Sequence, residues 1–201
     1  TGDIIPSEIT GIDENGVSFK TPLSSSSFVA NEKVKAVELI PQPDVPLKLS
    51  KLKRERLMTL PRMQKGSPPT HLIQSRSGDY LRGRLVKLDD KALEVELRLD
   101  SKTVPRDRVG LIIWLHPEEK EAAKPQEPKE AGESLLVQAV CSDGIRLTYR
   151  ADQFTGNALA GVSDVLGACQ VQVKDIDLIL IGAGIEQAAA QLAYQQWKLQ
   201  D

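Results

Sequence analysis

The chain has 201 residues, 40% apolar, 4% aromatic and 27% charged, which suits a folded chain with a real core and excludes a disordered or collagen-like one. Lys and Arg number 26 against 28 Asp and Glu, a net charge of −2, so no global basic excess points to nucleic acid, and so few aromatics make a poor base-stacking surface. Two Cys and two His exclude a disulfide scaffold and a Cys-rich zinc framework, and no apolar run is long enough for a membrane span.

The sequence opens Thr1-Gly2-Asp3, with no Met and no signal-like segment, and reads as a trimmed or mature piece of something longer. Residues 1–40 read as a first small β unit. Ile5, Ile9 and Ile12 precede Asp13-Glu14-Asn15-Gly16, and Val17 and Phe19 follow. Asn-Gly tolerates the positive φ angles of a tight hairpin.

Residues 41–70 read as a linker. Pro41, Pro43, Pro46, Pro61, Pro68 and Pro69 break any long helix. Ser50 to Leu60 fits a short helix with Ser50 as N-cap and an apolar side of Leu52, Leu57 and Leu60. Lys48 to Lys65 holds seven basic residues and one Glu. Lys51, Lys53, Arg54, Arg56 and Arg62 are the candidate anion- or partner-binding residues, facing nucleic acid, an acidic polysaccharide or an acidic protein. A plain solvated helix face is the stronger reading of them.

Residues 71–116 repeat the first unit without a gap. Gly78-Asp79 matches Gly2-Asp3, and Leu81, Leu85 and Leu88 match Ile5, Ile9 and Ile12. Asp89-Asp90 matches Asp13-Glu14, and Leu93 and Val95 match Val17 and Phe19. After a one-residue slip, Val104 to Val109 matches Val29 to Val34. The period-2 alternation of Leu93 to Leu99 predicts strands with one buried and one wet face, and Leu85 is expected in the core.

Residues 117–131 are rich in Pro, Glu, Lys and Ala and read as a solvated spacer. Residues 132–182 read as a third, divergent copy, with an insertion at 151–168 rich in Gly, Ala and Ser. Residues 183–201 read as a C-terminal helix, Ile185 to Gln200, with Ile185, Ala189, Leu192 and Trp197 on one face.

Candidate chemistry is sparse. Gly182-Ala183-Gly184 follows an apolar strand, Ile176 to Ile181, but Gln187 stands where a dinucleotide fingerprint needs its third Gly, so a strand-to-helix bend is the better reading. Cys141 and Cys169 read first as buried thiols, with a structural disulfide as the minority reading. His71 and His116 lack neighbouring ligands and read as surface or boundary residues. Asp13-Glu14 and Asp89-Asp90 occupy matching turns, which favours turn chemistry over catalysis. The sequence predicts no cofactor, metal or catalytic residue.

The pattern Gly83-x-Leu85-x-x-Leu88-Asp89, then Leu93-x-Val95-x-Leu97, then Val104 to Val109, resembles the small bent β-barrels of the Sm-like and SH3-like type, over about 40 residues per copy. RNA-contacting residues are not implied. The Asn of RNA-binding Sm proteins falls near Ala92-Leu93, and no Arg-Gly follows Val104. Arg56 to Arg62, Pro68 to Ile73 and Tyr194 to Trp197 resemble the region upstream of the thioredoxin-like domain in large secreted bacterial redoxin proteins. That resemblance implies an extracytoplasmic accessory region, with the catalytic Cys-x-x-Cys elsewhere.

The expected fold is mainly β: two to three tandem small SH3/Sm-like barrels or half-barrels, Pro-rich linkers and a C-terminal helix. The expected function is a non-catalytic interaction or scaffold module. Its partner is a protein or another part of the same parent chain, met through barrel faces, open edges and the basic linker. Self-association is left open. The alternatives are an accessory region of a thiol-disulfide oxidoreductase and, behind it, Sm-type RNA binding.

Overall fold

A computed structural model describes residues 2–39, 51–60, 68–98, 100–116, 135–192, 197 and 199. The chain is mainly β, and its sheets include a curled half-barrel. The strands are β1 (Glu8–Ile12), β2 (Gly16–Lys20), β3 (Phe28–Ala30), β4 (Ala36–Glu38), β5 (His71–Ser75), β6 (Tyr80–Leu88), β7 (Ala92–Glu96), β8 (Ser101–Pro105) and β9 (Val109–Trp114). After these come β10 (Leu135–Cys141), β11 (Arg146–Thr155), β12 (Ala158–Ser163), β13 (Gly167–Gln172) and β14 (Ile176–Ile181). Helix α1 spans Lys51–Met58 and α2 spans Ala183–Ala190.

Nine strands form one sheet in the order β3-β2-β1-β6-β5-β9-β4, with β7 paired to β6 and β8 to β7. Five form another, in the order β13-β12-β11-β10-β14. The described residues fall into two compact units. One gathers residues 2–8, 19–29 and 135–192; the other gathers 9–18, 30–39, 51–60, 68–116 (99 aside), 197 and 199.

Within the second unit, β7 and the central part of β6 carry the expected alternation. Leu85, Leu88, Leu93 and Val95 are buried, while Glu94 and Glu96 face water. The turn between β6 and β7 is built by Asp89, whose Oδ1 accepts the N–H groups of Lys91 and Ala92, each at 2.9 Å. Asp13 does the same between β1 and β2, accepting from Asn15 at 2.7 Å and Gly16 at 3.1 Å. Both are Asx turns, in which a short carboxylate satisfies the backbone that reverses the chain. Gly83 is required where it stands: a Cβ there would lie 2.5 Å from Val95 Cγ1 and 2.7 Å from Glu96 O.

The third segment has the same strand order as the second. The sequence β8-β7-β6-β5-β9 corresponds to β13-β12-β11-β10-β14. Register shifts also recur in matching strands. One falls between Leu85 and Lys87 in β6 and one between Ala151 and Gln153 in β11. Another pair falls between Gln74 and Ser75 in β5 and between Val140 and Cys141 in β10. A bulge bends its strand and increases local twist, which is how a short sheet curls into a half-barrel.

A 3-10 turn precedes the last strand of each segment: Asn31–Lys33, Arg106–Arg108 and Val173–Asp175. The first N–H of each turn donates back to the hairpin: Asn31 to Asn15 O at 3.2 Å, Arg106 to Lys91 O at 2.9 Å, and Val173 to Asn157 O at 2.7 Å.

Three expectations change. Residues 151–168, read as an insertion, form the end of β11, all of β12 and the start of β13. Small residues are needed there because Gly161 packs against the Arg150 carbonyl and the Tyr149 ring. The C-terminal helix ends at Ala190, and Trp197 stands outside it, stacked on Tyr80 at 6.3 Å between ring centroids. The short helix over the expected region is present as α1, but Leu52 is 74% exposed and the buried residue is Met58. The expected cap Ser50 and the linker residues expected at 41–49, 61–67 and 117–131 lie outside the described residues. Among the described residues, no helix is long and apolar enough to cross a membrane.

Candidate functional site

The last strand of the third segment is the feature that most departs from an ordinary surface. β14 pairs with β10 along one edge, from Val137↔Ile181 to Cys141↔Ile176. Among the described residues no strand pairs with its other edge. Its sequence, Ile-Asp-Leu-Ile-Leu-Ile, is apolar at five of six positions. Leu178 is 52%, Ile179 46% and Ile181 54% exposed. Successive side chains alternate faces along a strand, so apolar groups protrude on both sides of this edge.

The contrast with β9 is direct, because all six of its residues are buried. β9 is flanked by β5 and by β4, the latter through Ala36↔Ile113, Val37↔Ile112 and Glu38↔Leu111. Other edge strands carry protection. β8 is exposed but bears Lys102 and Pro105, and β13 turns Gln170 and Gln172 outward. Charge, Pro and polar side chains are the usual ways to blunt an edge, and β14 has only Asp177.

Helix α1 presents the basic residues. Lys51, Lys53, Arg54 and Arg56 are exposed, and Arg62 lies outside the described residues. Lys51 stands 3.9 Å from Glu55, and the Lys53 ammonium lies 5.6 Å from the centre of the Tyr80 ring. The helix is fixed to β6 by Arg82, which sequence reasoning did not single out. Its Nη1 donates to the carbonyls of Leu57 at 2.6 Å and Thr59 at 2.9 Å. A guanidinium there satisfies orphan carbonyls and meets the negative end of the helix dipole.

Two buried polar sites were also missed. His71 is 6% exposed, not a surface residue. Its Nδ1 accepts the Leu85 N–H at 3.3 Å and lies 2.7 Å from Thr70 Oγ1, and its ring meets Trp114 edge-on at 4.8 Å. Burial, with lesser contributions from His116 and Arg84, holds its pKa down to about 3, so the ring is neutral. Nδ1 as acceptor leaves the proton on Nε2.

In the other unit, Asp3 is drawn into a polar cluster. Its Oδ1 accepts from Thr148 N–H at 3.0 Å, Thr148 Oγ1 at 2.6 Å and Gln138 Nε2 at 3.3 Å. Burial raises its pKa, and these hydrogen bonds pull it partly back. Asp3, Tyr149 and Ser163 line a cavity of about 10 Å³, room for one water. The sequence signal for Asp3, a Gly-Asp pair, served only to align the first copy with Gly78-Asp79.

Cys141 and Cys169 are free and buried. Burial raises both thiols, and Asp143, Asp175 and Asp177 add to the rise at Cys141. A raised thiol pKa lowers the nucleophilic thiolate fraction. Gly182 enters α2 at φ +54°, the bend its position suggested. Asp89 is held down to about 2, first by the N–H groups of Ala92 and Lys91 and then by Lys87. Among the described residues no three His, Cys, Asp or Glu gather as a metal site.

Searches against protein-family models, curated proteins and solved structures match none of them to this chain.

Proposed function

We propose that the chain is a non-catalytic interaction module, built from tandem copies of a small SH3-like or Sm-like β unit, that binds a protein partner by β-strand addition. The observation that carries this reading is β14, an edge strand with one side unpaired among the described residues and with Leu178, Ile179 and Ile181 exposed. Such an edge offers main-chain hydrogen bonds for affinity and alternating apolar side chains for specificity. An aqueous surface gains nothing from keeping it bare. The protruding groups are aliphatic, and the charges beside them, Lys174, Asp175 and Asp177, are few and mixed, so the partner segment is extended and mainly apolar.

The test is a fluorescent peptide, Lys-Lys-Ile-Asp-Leu-Ile-Leu-Ile-Lys-Lys, titrated with the chain by anisotropy. Saturable binding that weakens at least tenfold in Leu178→Lys/Ile181→Lys is expected. Equal binding to the variant, or none to either protein, contradicts the reading.

A further inference from the structure

We infer that the strand seated on β14 is β14 of a second copy of this chain, antiparallel and centred on Ile179. This rests on the reading that β14 accepts a strand, and it names the occupant.

The fold contains the pairing it would use. β4 and β9 are the last strands of the first two segments, each preceded by a 3-10 turn, and they pair with each other. Val37 stands six residues beyond Asn31, the first residue of its turn, and Ile112 six residues beyond Arg106. These two residues face each other in the β4–β9 ladder, flanked by Ala36↔Ile113 and Glu38↔Leu111. Corresponding positions therefore meet across a local two-fold relation.

Ile179 stands six residues beyond Val173, the first residue of the third turn. It is the same position on the one last strand that has no such mate among the described residues.

Two β14 strands in this register place Ile179 opposite Ile179, Leu178 opposite Leu180, and Asp177 opposite Ile181. The two Asp177 carboxylates do not face one another, so the pairing juxtaposes no like charges. The residues covered are those now exposed: Leu178, Ile179 and Ile181. Leu180, already half-buried beside Gly184 of α2, changes least. An isologous pair consumes the free edge of both strands, so the assembly closes at two copies.

The experiment is sedimentation velocity of the full chain at rising concentration, up to about 100 µM, a range suited to a small strand-pair interface. The expected result is a shift to twice the chain mass, abolished in Leu178→Lys/Ile181→Lys with the melting temperature retained. Register is read separately by oxidation: Ile179→Cys forms a disulfide-linked dimer and Asp177→Cys does not. Equal cross-linking of both variants overturns the register. A monomer throughout, with the Lys-flanked peptide still binding, overturns this inference and leaves the strand-addition reading standing. A monomer that also ignores the peptide overturns both.

Discussion

His71 shows how far a single residue's meaning depends on its surroundings. In the sequence it is one of two isolated histidines without ligand partners. In the fold it lies under Trp114, accepts the Leu85 N–H and is held neutral by burial, with a pKa of about 3 against an ordinary 6.5. The unfolded chain therefore binds a proton that the native state refuses. His71 lets the fold keep its full stability above pH 6.5, and stability falls as pH drops from there toward 3, by about 1.4 kcal/mol per pH unit. Urea melts at pH 7 and pH 5 are expected to show this loss in the wild type and not in His71→Leu. An equal loss in both would place the proton elsewhere. Asp3 has the opposite sign. Its pKa is raised, so the cost of holding its carboxylate buried is relieved as pH falls through its native value. Neither behaviour was legible in the sequence, because both arise from neighbours supplied by distant strands.

At the scale of elements, the local rules worked where the signal was local. The acidic turns, the alternation of β6 and β7 and the bend at Gly182 all follow from residue type and spacing. The rules failed where small residues serve packing. The Gly- and Ala-rich stretch at 151–168 looked like inserted loop, but Gly161 is small because β12 passes close over Arg150 and Tyr149. The basic helix is a mixed case. Its place was legible, and its anchor was not, because Arg82 lies far along the chain. Arg82→Ala removes a donor to two carbonyls, and α1 is expected to lose about 1 kcal/mol of local stability. Faster amide exchange within Lys51–Met58, with β6 unchanged, is the readout. Unchanged exchange in the helix would show that Lys53 on Tyr80 suffices to hold it.

At the scale of the whole molecule, one structural device is used with and without a mate. Last strands β4 and β9 cover each other, and every residue of β9 is buried. β14 has the same place in its segment, is apolar and exposed, and has no second partner strand among the described residues. Its composition was visible in the sequence as an apolar run, which reads equally well as a buried core strand; only the sheet order reveals that it lies at an edge. Both the proposed strand addition and the proposed dimer require another strand to complete this edge. The most direct measurement is amide hydrogen exchange of Ile176–Ile181 at low and high protein concentration, and with the Lys-flanked peptide added. Alternate amides of β14, those not bonded to β10, are expected to exchange freely in dilute solution and to become protected on concentration or on peptide addition. If those amides exchange at the same unprotected rate under all three conditions, no strand adds to β14 and both proposals fall.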